Sequence, residues 1–345
     1  MDRVIYNFDS LPHRQSVVAA PMRRSIYRAR RAPQPRIGII YNPRSHRNKG
    51  QDLACTGADS ITVEQPRTRD EIAHALAGFA RDGIDFLVIN GGDGTVRDVL
   101  TMGQAVFADR WPAIAVLPKG KTNALTVDLD APGDWTLQGA IDAFENGRRV
   151  LRSPIAITPL NQPGARVLGF ILGAGAFTIG TRAGQSAHRL GAFNSLAVGV
   201  TTLWGVLQAV FGTRRNPWRR GVRMELLLGQ ARAPFQHSGK GDAARRQFLL
   251  TSTLERFPAR LKPFGALRKG LKLAVLDQID RRTTLLVPAV MMGWANPRLR
   301  ERGFHQVGAT QFEMELDDQF ILDGEAFPAG RYRVEPGPEL EFVAP

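Results

Sequence analysis

Residues 86–100 read FLVINGGDGTVRDVL, an uncharged run that drives into Gly91-Gly92-Asp93-Gly94-Thr95 and then into a stretch of helical spacing. A buried strand that turns into a helix over consecutive glycines is the mark of alternating β/α architecture, and no other segment restricts the fold as strongly. Glycines at such a turn let backbone N–H groups approach a phosphate, and the start of the helix favours negative charge. Asp93 does not suit a bare phosphate cradle, because a carboxylate repels the anion unless Mg²⁺ or a transferred proton stands between them. The plain alternative is a tight turn with Asp93 as a helix cap.

The flanking sequence fits that architecture. RIGIIYNP (36–43) is a short apolar strand stopped by Asn42-Pro43, and further strands are expected at 59–63, 86–90 and 111–117, with helices over 70–81 and 96–102. Alternation of this kind predicts a parallel sheet with ligands at the carboxyl ends of the strands. After about residue 150 the texture changes to strands separated by Gly and Pro: ARVLGFILGAGAF, RMELLLGQ, RQFLLTSTL, LKLAVLD, TTLLVPAVMM, FEMELD and FILDGEAF. These predict a mainly antiparallel β-sandwich. The expected organisation is a basic flexible arm at 1–35, an α/β nucleotide-binding domain at 36–150 and a β-rich domain at 151–345.

A net charge of +14 asks for an anionic partner. Arginines at 3, 14, 23, 24, 28, 30 and 31 concentrate part of it in the arm. Residues 190–213 carry no charge and are followed by RRNPWRRGVR, in which Arg214, Arg215, Arg219 and Arg220 surround Trp218. A buried or surface-lying helix is expected there rather than a membrane span, because Asn194, Thr201, Thr202 and Gln208 dilute its apolarity, and the flank suits an interfacial anchor. Nucleic acid is not an expected partner, since no basic strand with interleaved aromatics and no reading helix is present. The single Cys55 and the mixed, polar start predict a cytoplasmic protein that meets the inner membrane face peripherally.

Rival motifs fail on spacing. Gly120-Lys121-Thr122 has Ala115 where a Walker loop needs its first glycine, and Gly173-Ala174-Gly175 lacks the third glycine of a dinucleotide fingerprint, which leaves tight backbone packing. His13, His46, His74, His188, His237 and His305 lack metal-ligand spacing, and no Gly-X-Ser-X-Gly elbow is present.

Asn42-Pro43, Thr68, Gly91-Gly92-Asp93-Gly94-Thr95, Pro118 with Gly120-Lys121-Thr122-Asn123, and Asp323-Gly324-Glu325 occur in an order that resembles the diacylglycerol kinase catalytic family, which includes sphingosine and ceramide kinases. The resemblance runs from about residue 36 to the end. It implies ATP and Mg²⁺ as cofactors, a lipid hydroxyl as acceptor and an anionic membrane surface as partner. It also implies a nucleotide held in a cleft between the domains by Asn42, Pro43, Arg44, Ser45, His46, Thr68, the segment from Gly91 through Thr95 to Asp98, and Gly120, Lys121, Thr122 and Asn123. Asp93 would serve the metal. Glu325, supported by Asp323, would accept the proton of the attacking hydroxyl; for Asp-Gly-Glu alone a β-turn is the plain reading.

The chain departs from the family pattern at three places. Lys121 and Ala124 replace residues that are usually Thr and often Asp, and Asp98 stands for a usual Glu. Lys269-Gly270 aligns with an Asp-Gly that helps hold a structural Mg²⁺ in some members, which makes a cation site there doubtful. The competing readings are an enzyme similar to NAD kinases, which share the Gly-Gly-Asp-Gly-Thr loop, and a lipid- or nucleotide-binding regulator without transfer activity.

Overall fold

The computed structural model describes residues 6–11, 35–48, 59–180, 220–239, 241–278 and 280–345. The expected helix and anchor at 190–220 lie almost wholly outside the described residues, as does most of the arm. The chain forms two compact units.

The α/β unit comprises Phe8–Arg152, Gly164–Arg166 and Pro338–Pro345. Its strands are β1 (Ile37–Tyr41), β2 (Ile61–Glu64), β3 (Phe86–Gly91), β4 (Ala113–Pro118), β5 (Arg148–Arg152) and β18 (Leu340–Ala344), in the spatial order β2-β1-β3-β4-β18-β5. β1 and β3 are buried at every position, which is why they read as unbroken apolar runs rather than as alternation. Helix α1 (Arg69–Asp82) starts where the Thr68 hydroxyl accepts the N–H of Glu71 and stops at Gly83, whose φ of 64° ends the helix without steric cost. Helices α2 (Asp93–Phe107), α3 (Ala124–Asp128) and α4 (Leu137–Asn146) complete the unit. Ile39, Phe86, Val88, Leu117, Leu137 and Val343 lie in one core cluster.

Two findings here depart from the sequence reading. The last strand was expected in the β-rich domain; instead β18 lies parallel to β4 and antiparallel to β5, with Phe342 opposite both Ile114 and Val150. Burial of Leu340, Phe342, Val343 and Ala344 drives it there. Residues 6–11, assigned to a flexible arm, contain buried Tyr6, Phe8 and Leu11. The Tyr6 N–H donates to the Ala326 carbonyl at 3.0 Å and its ring stacks on Phe327 at 4.4 Å.

The β unit contains Ser153–Pro163 and Val167–Gly337 with Tyr6 and Asn7. Its strands are β6 (Ile155–Pro159), β7 (Val167–Gly169), β8 (Ile171–Gly175), β9 (Val222–Leu228), β10 (Ala233–Pro234), β11 (Arg245–Ser252), β12 (Leu271–Asp277), β13 (Phe304–Ala309), β14 (Phe312–Leu316), β15 (Phe320–Leu322), β16 (Glu325–Phe327) and β17 (Gly330–Pro336). All pair antiparallel in one curled sheet. β11 joins its two halves: Arg245 and Arg246 pair with β9, residues 248–252 pair with β8, and a register shift between Arg246 and Phe248 on the β12 side bends the strand.

TTLLVPAVMM is helical instead of a strand, forming α5 (Arg281–Thr284) and α6 (Val287–Met291). The Asp280 carboxylate caps the Thr283 N–H at 2.7 Å, and Pro288 sits in the first turn of α6, where its missing N–H costs nothing but would break a sheet ladder. Gly173 and Gly175 serve tight packing as expected: an added Cβ would collide with the Phe177 ring at the first and with the Gln247 carbonyl at the second.

Candidate active site

In the strand order β2-β1-β3-β4 the connections run in opposite directions from the β1/β3 pair, and that switch point is where open α/β sheets bind ligands. A cleft of about 610 Å³ opens there, lined among others by Asn42, Arg67, Thr68, Arg69, Thr95 and Asp98. The Asn42 amide donates to the Thr95 hydroxyl at 2.8 Å and its oxygen accepts the Arg44 N–H at 3.0 Å, so one side chain fixes the turn after β1 against the start of α2. Pro43 and Arg44 line the same cleft, Ser45 donates its N–H to the Asn42 carbonyl at 3.1 Å, and His46 is exposed.

The glycine loop works by close approach of backbones. A Cβ on Gly92 would lie 2.8 Å from the Gly120 Cα, and one on Gly120 would lie 2.7 Å from the Gly92 Cα; a Cβ on Gly91 would strike the Thr95 side chain. Asp93 locks the contact. Its Oδ2 accepts the Asn123 N–H at 3.0 Å and its Oδ1 the Ala124 N–H at 2.8 Å, while Asn123 adopts φ 52° and bonds both the N–H and the carbonyl of Gly120. Asp93 therefore begins α2 and caps α3. Burial pushes its carboxyl pKa up, against the opposing pull of these backbone N–H groups and of Arg97. Lys121 and Thr122 are exposed on the turn.

Arg67 and Arg69 are the cleft residues that the motif search missed. Arg69 donates to Asp98 at 3.2 Å, and Asp98 also takes Arg97 at 3.1 Å. The signal was available: basic residues flanking the start of α1 oppose the helix dipole and call for another use.

Asp-Gly-Glu in the β unit divides into two roles. Asp323 (φ 47°) and Gly324 (φ 84°) are the two loop residues of the β15–β16 hairpin, with Leu322 opposite Glu325, and positive φ at both is what a type I′ turn requires. The Asp323 carboxylate folds back to accept the N–H groups of Phe170 at 3.0 Å and Ile171 at 2.9 Å. Gly169 leaves the room, since a Cβ there would stand 2.6 Å from Asp323 Oδ2. Glu325, half-buried, begins β16 at the end of the sheet order.

Among the described residues no group of three His, Cys, Asp or Glu side chains could hold a metal. Asp93, with an N–H on each oxygen, suits Mg²⁺ only as a single protein ligand to a metal brought by phosphates. At the doubtful cation site the buried Lys272 places its Nζ 2.9 Å from the Arg268 carbonyl and 3.0 Å from the Gly270 carbonyl, so an internal ammonium supplies positive charge at that turn.

The sequence profile of the diacylglycerol kinase catalytic domain matches residues 36–152, which hold the cleft, the glycine loop and the Asp93 clamp. The likeness to that family is carried by this domain. A diacylglycerol kinase structure from Bacillus anthracis str. Sterne is similar over 90% of this chain and 97% of its own, at 12% identity and a TM-score of 0.58. Two further structures from that organism, provisionally assigned as diacylglycerol kinases, give TM-scores of 0.60 and 0.61 at 13% and 12% identity with the same coverage. At such identities the likeness establishes the fold. No curated protein matches the chain.

Proposed function

We propose that this protein is an ATP-dependent lipid kinase that transfers the γ-phosphate to a lipid hydroxyl, such as that of diacylglycerol, ceramide or a sphingoid base. The observation that carries the reading is the clamp at the switch point: Gly92 against Gly120, held by Asp93, in a domain of the diacylglycerol kinase catalytic family. The start of α2 and the Arg67–Arg69 rim supply N–H groups and positive charge for a triphosphate, and Asn42 and Thr95 fix its approach. Mg²⁺ bound with the nucleotide would neutralise phosphate charge.

The division of labour in Asp-Gly-Glu supports Glu325 as the group that accepts the proton of the attacking hydroxyl, with Asp323 as its anchor. A carboxylate engaged by two N–H groups is a weak base, which suits Asp323 to the anchoring role. The lipid would be met from the cytoplasmic side of an anionic bilayer; among the described residues no helix is long and apolar enough to cross a membrane. The test is an acceptor panel with labelled ATP: diacylglycerol, monoacylglycerol, sphingosine and ceramide in mixed micelles, with NAD alongside. Phosphorylation of a lipid and not of NAD is expected; phosphorylation of NAD alone, or of no acceptor while ATP binds, overturns the reading.

A further inference from the structure

Between β12 and β13 the chain leaves the sheet, and this excursion is sorted by charge. Residues 283–297 carry no ionisable side chain; Arg281 and Arg282 precede them, Arg298, Arg300 and Arg302 follow, and Glu301 is the single acid from 281 to 302. Helices of four and five residues have little stability of their own. They are held from one side, where Val290 and Leu299 are buried with Leu276 and Phe304.

The other side carries exposed apolar side chains. Five large apolar side chains are exposed among the described residues, and three lie here: Leu285 (60%), Met292 (61%) and Trp294 (42%). Their presentation is fixed by backbone. The Met292 N–H donates to the Pro288 carbonyl at 3.1 Å, Gly293 at φ 101° donates to Val290 at 2.9 Å, and Trp294 donates to Ala289 at 2.9 Å. The Lys262 N–H holds the Met291 carbonyl at 2.7 Å, and a Cβ on Gly293 would meet the Lys262 stem at 2.8 Å, so an exposed cation stands beside the apolar tip. Arg298, Arg300 and Arg302 are exposed as well.

Rigidly exposed Leu, Met and Trp mark a binding surface, and the collar of cations around them selects its partner. An indole suits headgroup depth, and arginines and a lysine suit lipid phosphates. We propose that residues 281–302, with Lys262, form the surface by which this protein docks on an anionic bilayer, the apolar tip entering the headgroup boundary. The assignment rests on the lipid kinase reading for the reason a bilayer is met, but docking can be read without turnover.

The test is sedimentation of the full chain with phosphatidylcholine vesicles, with and without phosphatidylglycerol. Each cation near such a surface is worth about fivefold in partitioning, so Arg298→Gln/Arg300→Gln/Arg302→Gln is expected to weaken binding to the anionic vesicles about 100-fold. Met292→Ser/Trp294→Ser is expected to weaken it at least ~10-fold through lost apolar burial. The blue shift of tryptophan emission on vesicle binding should be smaller in Trp294→Phe than in the wild type. All three variants are expected to melt with the wild type, since the altered side chains are exposed. Turnover on a monomeric short-chain diacylglycerol should be unchanged while turnover on vesicle-borne lipid falls. Unchanged vesicle binding in both multiple variants, or equal binding to vesicles without phosphatidylglycerol, overturns the surface. Variant-sensitive docking in a wild-type protein that phosphorylates no lipid would uphold the surface and sink the kinase reading alone.

Discussion

Replacing the two carboxylates of the β15–β16 turn one at a time should separate chemistry from architecture. In Asp323→Asn the turn itself is spared, because Asn accepts positive φ as readily as Asp. The carboxylate's bonds to the Phe170 and Ile171 N–H groups are not spared. Hydrogen bonds to a charged acceptor contribute about 1.5–3 kcal/mol each. Asn keeps one oxygen acceptor and turns an NH₂ toward the second donor, so one bond is lost and the other loses its charge. The expected cost is about 2–4 kcal/mol, or a fall of roughly 5–15 °C in the melting temperature of a domain of this size. Glu325→Gln keeps size and shape at a half-buried strand end, and its melting temperature should stay within about 2 °C. Its turnover should fall by about 10²–10⁴, the usual contribution of a general base, with ATP affinity within a few-fold of normal. Scanning calorimetry with a labelled-ATP assay reads both effects. Full activity in Glu325→Gln refutes the reasoning, and so does an Asp323→Asn protein that melts normally and is inactive, since that would make Asp323 the base.

Gly92→Ala should lower ATP affinity more than tenfold by calorimetric titration and destabilise by about 1–3 kcal/mol, because the new methyl meets the backbone of Gly120 rather than a side chain that could move; normal affinity would dissolve the clamp. Asp277 is buried with Arg246 and His305; burial alone would raise its pKa, but hydrogen bonds from His305 and from the Ser238 N–H, with Arg246, hold it below 3.8. A folded pKa below the unfolded one gives stability that is present above about pH 4 and lost as pH falls toward the folded value, so Asp277→Asn should flatten the acid limb of the stability profile while costing about 3–5 kcal/mol at neutral pH. An unchanged acid limb in chemical denaturation would place that sensitivity elsewhere. Lys272→Met should leave the Arg268 and Gly270 carbonyls without their ammonium donor and cost about 1–3 kcal/mol, and a denaturation midpoint that matches the wild type would show the contact to be idle.

What the sequence revealed follows the range over which each signal acts. β1, β3 and α1 were legible because double-sided burial and the helical spacing of Ile72, Leu76 and Phe79 are written within the segments themselves. β18 was not, because LEFVA pairs with strands near residues 114 and 150 and carries no local mark of which sheet it joins. The β-branched and apolar run at 283–292 imitates a strand until Asp280 and Pro288 are weighed as cap and first-turn residues. In the site, the glycine loop declared itself by composition. The Asp323 anchor could not, since its donors lie about 150 residues earlier at Phe170 and Ile171.

The acid between the glycines can now be understood from what its two oxygens hold. A cap on its own helix was the plain reading of Asp93, but the N–H groups it accepts belong to Asn123 and Ala124, so the carboxylate ties the β3–α2 turn to the β4–α3 turn. Gly92 and Gly120 are needed for the same reason, because only two residues without Cβ atoms let the turns come close enough for one carboxylate to span them. Burial raises its pKa while these N–H groups and Arg97 pull the other way. A buried carboxylate gains more than a solvated one from any cation brought within reach. The backbone of both turns fixes the position of its oxygens. In this chain the clamp and the charge are therefore properties of one side chain, and Asp93→Asn would remove the charge together with one of the two N–H contacts that tie the turns.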